Sequence, residues 1–468
     1  MKFFKEGTLI KPGTRADKFL ANRYGSSMFS YRQIFAMLGP LILDQFFIYF
    51  IGMLTNAMIS ASSQDSVTAV GLVSPIVMLA MSLIFATSAG GTVIVAQYKG
   101  KGDERTMKKS AAQVVMITFL VAAVTATALF IFAEPIMNLT FADAEQIVKD
   151  KAISYMRGFF ISMLPFAIYN GIFSVLRGIG DTKTCLHLTV IINGIHLFGS
   201  VLFVEVLNLD ILGTTLSFNI ARFVGGAIAL YIALSPKGVI TFRMSDFFVW
   251  NWKLQKAIIK LGVPFAVEQI FLNFGALVAQ MYIVKLGTVS IAANTIASSA
   301  VNLLYGTGFA VSTLAITVVG QCIGSGDITL AKRYGKRMVE IGTVVMTITT
   351  AILYPLMPAI LGLYAPQPDA LVIIKDLILI GVIPIPFFWS MSYVMPSSLR
   401  AAGDANYTSF VCLVCMWVFR VGLGYVLAMN FGMGVYGVWV SMGIEWVARS
   451  IFFAIRFKGK KWYLKSVV

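Results

Sequence analysis

Twelve long apolar runs decide what this chain can become. They lie at approximately 34–60, 67–97, 111–133, 152–176, 184–207, 211–235, 257–285, 290–321, 338–361, 372–398, 407–430 and 435–457. A run of roughly 20 apolar residues is long enough to cross a hydrocarbon core. Inside lipid its backbone must satisfy its own hydrogen bonds, which leaves helices or a closed barrel. These runs are continuously apolar and do not alternate every second residue, so helices are expected. Composition agrees: 58% of residues are hydrophobic and 12% charged, against about 25% charged in soluble domains. The expected fold is an all-α membrane protein with twelve transmembrane helices.

The second constraint is an internal repeat. Gln97-Tyr98-Lys99-Gly100-Lys101-Gly102-Asp103 returns 224 residues later as Gln321-Cys322-Ile323-Gly324-Ser325-Gly326-Asp327. At the same offset, Phe85-Ala86-Thr87-Ser88 answers Phe309-Ala310-Val311-Ser312, and Asp44-Gln45 answers Glu268-Gln269. Each acid follows a proline (Pro40, Pro264) by four residues. Leu176-Arg177-Gly178-Ile179-Gly180-Asp181 answers Leu399-Arg400-Ala401-Ala402-Gly403-Asp404 with the offset slipped by one. Six helices per repeat is an even number, so the halves share one orientation: two parallel lobes, with the working site expected between them. The expected layout is a basic arm (1–30), an N-terminal six-helix lobe (31–235), an inter-lobe linker (236–256), a C-terminal lobe (257–457) and a tail (458–468).

The net charge of +16 invites a nucleic-acid reading, and its placement refuses it. Basic residues crowd the segment before the first span, every second connection and the tail, while the intervening connections hold few. That is the positive-inside pattern, so both termini are expected on the cytoplasmic side of a cell membrane. The first thirty residues lack the apolar core and cleavage site of a signal peptide. No Gly-Lys-Ser/Thr phosphate loop appears, so ATP-driven pumping by this chain is not expected. Cys412 and Cys415 share a helical face, but without a nearby histidine or acidic co-ligand they read as packing residues.

Acidic residues inside a span are costly and therefore candidates for function. Asp44 lies about ten residues into the first span, roughly 15 Å along the helix. Glu268 sits at the matching depth of the seventh. Neither has a basic residue within a turn. A carboxyl in a low-dielectric bundle has its pKa raised and can load a proton; with more oxygen ligands it can hold Na⁺, for which Asp44 is the expected ligand. Thr55, eleven residues on, shares the Asp44 face. Asn56, Asn170 and Asn193 add polar groups that can join ion coupling. Gln45, Gln269, Asn273 and Gln280 are candidate substrate contacts, with helix-to-helix hydrogen bonding as the bland reading of any single amide.

Glu445, mid-way along the twelfth span, has Arg449 one turn later and reads as an i,i+4 ion pair. Arg222 and Arg420 lie deep in spans six and eleven, where each either pairs with an acid across the bundle or binds an anionic substrate. His196 reads as a satisfied buried histidine, although its ordinary pKa allows titration. Pro40, Pro165, Pro264, Pro384 and Pro386 mark bends in spans one, four, seven and ten. Tyr49, Tyr305 and Trp389 are candidates to line a cavity for flat organic cations. The Gly-rich loops read as tight turns in which Asp103, Asp181, Asp327 and Asp404 cap the next helix.

The combination of Gln-x-x-Gly-x-Gly-Asp after spans two and eight, Leu-Arg-Gly-x-Gly-Asp-Thr-Lys after span four, and Pro-x-x-x-acid-Gln in spans one and seven resembles the multidrug and toxic compound extrusion (MATE) family, over residues 31–457. The resemblance implies two six-helix lobes and export of amphiphilic, often cationic, organic compounds in exchange for Na⁺ or H⁺ by alternating access. It implies a cofactor-free transporter, not an enzyme, whose partners are small organic substrates and lipids, without nucleic acid, and working as a monomer. Many members carry Val-Asp-Thr late in the first span; here Leu54-Thr55-Asn56 stands instead, and span ten has no acid. Coupling then moves to Asp44 or Glu268. The alternative is a flippase or dedicated exporter of a lipid-linked or anionic metabolite on the same frame, which needs Arg222 and Arg420 to face the cleft.

Overall fold

In the computed structural model, residues 11–60, 64–141, 145–235, 238, 240, 244–362, 364 and 367–465 are described, without the side chains of residues 53, 56–60, 64, 65, 67, 244 and 248. The first ten residues of the arm, parts of the 236–256 linker and the last three residues of the tail therefore lie outside the described residues, as does the Asn56 side chain. Among the described residues every regular element is helical. The helices are α1 (Arg15–Tyr24), α2 (Tyr31–Ser60), α3 (Gln64–Lys101), α4 (Glu104–Ile131), α5 (Ala133–Thr140), α6 (Gln146–Ile161), α7 (Met163–Ile179), α8 (Thr182–Ser200) and α9 (Asp210–Leu234). They continue as α10 (Met244–Phe248), α11 (Trp252–Val284), α12 (Thr288–Gly324), α13 (Ile328–Leu353), α14 (Met357–Gly362), α15 (Pro368–Val382), α16 (Ser390–Ala401), α17 (Ala405–Cys415) and α18 (Gly434–Lys458).

Eleven helical stretches are long and apolar enough to span a membrane, and the bent pair α6–α7 makes twelve. The twelve apolar runs of the sequence thus become twelve spans. The α6–α7 bend of 43° falls at Ser162, where Pro165 removes the N–H that would bond back to Ile161. The Ser162 hydroxyl donates to the Phe159 carbonyl at 2.8 Å and covers part of the break. Pro40 and Pro264 lie inside helices that continue through them. Pro384 and Pro386 instead accompany a wide π-helical turn, Ile385–Trp389, that joins α15 to α16.

The repeat motifs are helix-to-helix turns. Gly102, Gly180, Gly326 and Gly403 all have positive φ (76°, 91°, 81° and 94°), the left-handed conformation that glycine takes at a helix end without a Cβ penalty. At the second turn, Asp181 N donates to Leu176 O at 2.9 Å and Gly180 N to Arg177 O at 3.1 Å, the paired closure of a Schellman turn. Three of the four aspartates then cap as expected: Asp103 accepts from Thr106 N, Asp181 from Thr184 N and Asp327 from Leu330 N. Asp404 is the correction. Its side chain makes no cap bond, because Arg456 (2.7 and 3.1 Å) and Lys465 (2.9 Å) occupy both of its buried oxygens.

Packing divides the chain into two units, residues 1–46, 99–102 and 267–468, and residues 47–98 and 103–266. In the first, α12 is the central helix, with 83% of its most apolar window buried. It packs on α13, α15 and α16, and the fully buried Trp389 and Trp446 fill the surrounding core. Phe29, Ile34, Leu38 and Leu41 belong to this same core. Gly100 meets α12 so closely that a Cβ there would stand 1.9 Å from the Gln321 carbonyl oxygen. In the second unit, α4 packs on α7, while α9 packs on α6, α7 and α8. Phe159, Phe160, Met156 and Ile84 lie in its core.

Candidate functional site

Asp44 lies well inside its span, with an exposure of 0%. The neighbouring Gln45 amide, itself half-buried, donates to its Oδ2 at 3.4 Å.

Glu268 was expected to stand without a cation, and the structure corrects this. Arg400 Nη2 lies 2.7 Å from both Glu268 oxygens. Ser409 donates to Oε2 at 2.8 Å. The pairing is invisible to spacing along α11, because the guanidinium arrives from the end of α16, 132 positions away. Arg400 therefore does more than add positive charge to a connection. Thr408 accepts from its Nε at 3.1 Å.

The Glu445–Arg449 pair forms at 3.2 Å as its spacing predicts, and Arg420 joins it from the π-helical turn Met416–Leu423, with Nε 2.6 Å from Glu445 Oε2. Cys412 links the two groups: Arg449 Nη2 is 3.0 Å and Arg400 Nη2 3.9 Å from its sulfur. Three arginines and two glutamates so form one buried network on α11, α16, α17 and α18 and the adjoining π-helical turn. Such charges are tolerable away from water only when paired and hydrogen-bonded. The sequence marks Glu268 and Arg420 singly and Glu445 with Arg449 as a pair; it gives no sign of Ser409, and Cys412 reads there only as a packing residue. The slipped Leu-Arg repeat was the available pointer to Arg400.

Other predicted residues scatter. Tyr305 stacks on Trp389 (5.7 Å between centroids), and Trp389 on Tyr393 (4.5 Å), all within the core of the first unit. Gln280 accepts from Asn294 at 3.4 Å, and Asn294 in turn accepts from Trp439 Nε1 at 3.0 Å. Gln269 and Asn273 are half-buried on α11. In the second unit, Asn170 accepts from Ser88 at 3.1 Å, while Asn193 donates to its own helix at Thr189 O. Tyr49 is half-buried there.

Thr55 and His196 do come together. Thr55 Oγ1 lies 3.3 Å from His196 Nε2, and His196 Nδ1 lies 2.8 Å from Ser217 Oγ. Ser217 Oγ also donates to the His196 carbonyl at 2.6 Å, so both ring nitrogens have hydroxyl partners. His196 is thus a satisfied buried histidine. Arg222 is different. Its Nη1 donates to Ser162 at 2.9 Å, and its guanidinium lies over Phe159, Phe166 and Phe218. Among the described residues no group of three or more His, Cys, Asp or Glu side chains is placed to hold a metal.

The MatE family model matches this chain twice, at residues 40–202 and 264–426. Both its starts and its ends lie 224 residues apart, the offset of the sequence repeat. A probable multidrug resistance protein NorM of Thermotoga maritima is 24% identical over 444 residues, covering 92% of each chain. The uncharacterized transporter YisQ of Bacillus subtilis is 22% identical over 441 residues, covering 93% of this chain and 95% of its own. Among solved structures, an outward-facing multidrug resistance MATE family transporter of the MOP superfamily superposes with a TM-score of 0.84 at 16% identity, covering 91% of this chain and 96% of that one. A MATE protein in complex with MaL6 superposes with a TM-score of 0.82 at 17% identity, covering 95% and 99%.

Proposed function

Because this chain belongs to the MatE family of multidrug efflux transporters, we propose that it is a secondary antiporter, exporting amphiphilic, often cationic, organic compounds in exchange for Na⁺ or H⁺. It is a transporter and not an enzyme. The observation that carries the coupling proposal is Asp44, a carboxyl with 0% exposure inside a membrane span. A carboxyl at that depth is costly to keep in a span, which marks it as a functional position able to receive the coupling ion. Glu268 is the second candidate. Its pairing with Arg400 supports a role in which binding and release of an ion rearrange the buried network. Thr55, Asn56, Asn170 and Asn193 remain proposed polar contributors to coupling. Gln45, Gln269, Asn273, Gln280, Tyr49, Tyr305 and Trp389 remain proposed substrate contacts.

The lobes are proposed to span 31–235 and 257–457, joined by 236–256 and rocking by alternating access. Both termini are proposed to lie in the cytoplasm, with the protein a monomer in the cell membrane. The test is efflux of ethidium from proteoliposomes under an imposed Na⁺ or H⁺ gradient. Wild type should export and Asp44→Asn should not, with its thermal unfolding midpoint retained. Unchanged export by that variant removes Asp44 from the mechanism. The anionic-metabolite alternative is weakened for Arg420, because Glu445 already occupies it.

A further inference from the structure

Arg222 differs from the other deep arginines in what surrounds it. Arg400, Arg420 and Arg449 each hold a glutamate. Among the described residues no carboxylate lies within ion-pair distance of Arg222, which is 9% exposed. Its guanidinium carbon sits 4.2 Å from the Phe159 ring centroid, 4.8 Å from Phe166 and 5.0 Å from Phe218. Ser162 takes one donor of Nη1. Among the described residues, Nε and Nη2 have no acceptor.

A guanidinium is charged at any physiological pH and carries five N–H donors in a planar fork. Three aromatic rings stabilise the charge, but none of them supplies an oxygen or nitrogen acceptor for the remaining N–H donors. A charge without an ionic partner at membrane depth is costly to retain, which marks a functional position. The complement of a fork in an aromatic box is a planar or tetrahedral anion on an apolar body. The anion accepts from Nε and Nη2, and the body packs on the phenylalanines.

We propose that Arg222, walled by Phe159, Phe166 and Phe218, is a binding subsite for the carboxylate, sulfonate or phosphate head of an amphiphilic anion. This rests on the transport reading for its purpose and extends the substrate class from organic cations to anions and zwitterions. The same headgroup chemistry arrives from two sources, a transported solute or an anionic phospholipid.

The test uses the full-length protein in phosphatidylcholine nanodiscs, titrated with taurocholate and, separately, with ethidium. Wild type should bind taurocholate, and Arg222→Gln should lose about tenfold or more in affinity, the scale of a lost charge-assisted pair. Ethidium affinity should stay within about twofold, as expected when no ionic bond is lost. No taurocholate binding by wild type, equal affinity in the variant, or equal loss of both ligands overturns the subsite. Wild-type protein gives the same answer without relying on the variant's folding. 1-Naphthalenesulfonate should displace taurocholate and the similarly sized cation 1-naphthylmethylammonium should not; equal displacement overturns it. Repeating the titration with phosphatidylglycerol nanodiscs separates the sources, since competition there identifies a lipid head and its absence a solute. Binding is read apart from transport, so a failed ethidium efflux assay leaves this result standing.

Discussion

Replacing one side of the Glu268–Arg400 pair strands the other. Both side chains are largely sealed, at 3% and 15% exposure. Breaking a buried ion pair from one side costs roughly 3–5 kcal/mol, whereas replacing both partners is often close to neutral. Arg400→Met should therefore lower the thermal unfolding midpoint in detergent clearly, and Glu268→Gln with Arg400→Met should recover more than half of that loss. Absence of recovery in the double variant would show that Arg400 stabilises through its other contacts, Thr408 and Cys412. At this scale the sequence was informative about which residues are unusual and silent about who meets whom. Glu268, Glu445, Arg420 and Arg449 stood out as charges in apolar runs. Their wiring runs between helices up to 141 positions apart, and one-dimensional spacing carries no record of it. Glu445–Arg449 was legible only because both residues sit on one helix.

At the level of elements, the fourth repeat turn has exchanged a cap for a latch. A lost N-cap costs about 1 kcal/mol, so Asp103→Ala and Asp327→Ala should be mild. Asp404 instead anchors the chain's end. Arg456 and Lys465 close on its buried carboxylate, Trp462 stacks on Phe457 at 4.9 Å, and Lys332 lies 4.4 Å over the Tyr463 ring. Asp404→Asn should release the tail and speed trypsin cleavage after Lys460 and Lys461 several-fold, while Asp103→Asn should leave that rate unchanged. Equal rates in the two variants would refute the latch. The opening arm is tied differently. Tyr31, the Gly13 amide and Arg32 hold the Asp17 carboxyl down at about 2, below its usual 3.8. Because the folded value is depressed, this contribution is complete above about pH 4 and fades as pH falls through 2. A spin label at Lys18→Cys should stay immobile from pH 8 to pH 4 and loosen only near pH 2. In the Asp17→Asn background it should already be mobile at pH 7. All four aspartates read alike from sequence because the turn is local. Asp404's partners come from 52 and 61 residues further on, beyond any local pattern.

Over the whole molecule, the repeat fixes the frame, and we propose that the work is assigned where its copies diverge. The spans, the twofold match of the family model and the turn glycines were all legible, since apolar length and positive-φ glycine are local requirements of a helix in lipid. What the sequence withheld is the wiring: nothing in it brings Arg400 to Glu268. Glu268 is bound into a network of arginines, and its counterpart Asp44 takes a hydrogen bond from the Gln45 amide. If coupling resides at Asp44, one ion gradient alone should drive export. In cells expressing the protein, collapsing that gradient should raise ethidium accumulation to the level of cells lacking it, and collapsing the other should change little. Asp44→Asn cells should then accumulate ethidium to the same raised level under every condition, because the carboxyl that senses the gradient is gone. Glu268→Gln should keep whatever ion dependence the wild type has, at a lower protein level, because Arg400 is left buried without its acid. A Glu268→Gln protein of normal abundance that no longer responds to either gradient would transfer the coupling role to the C-terminal half.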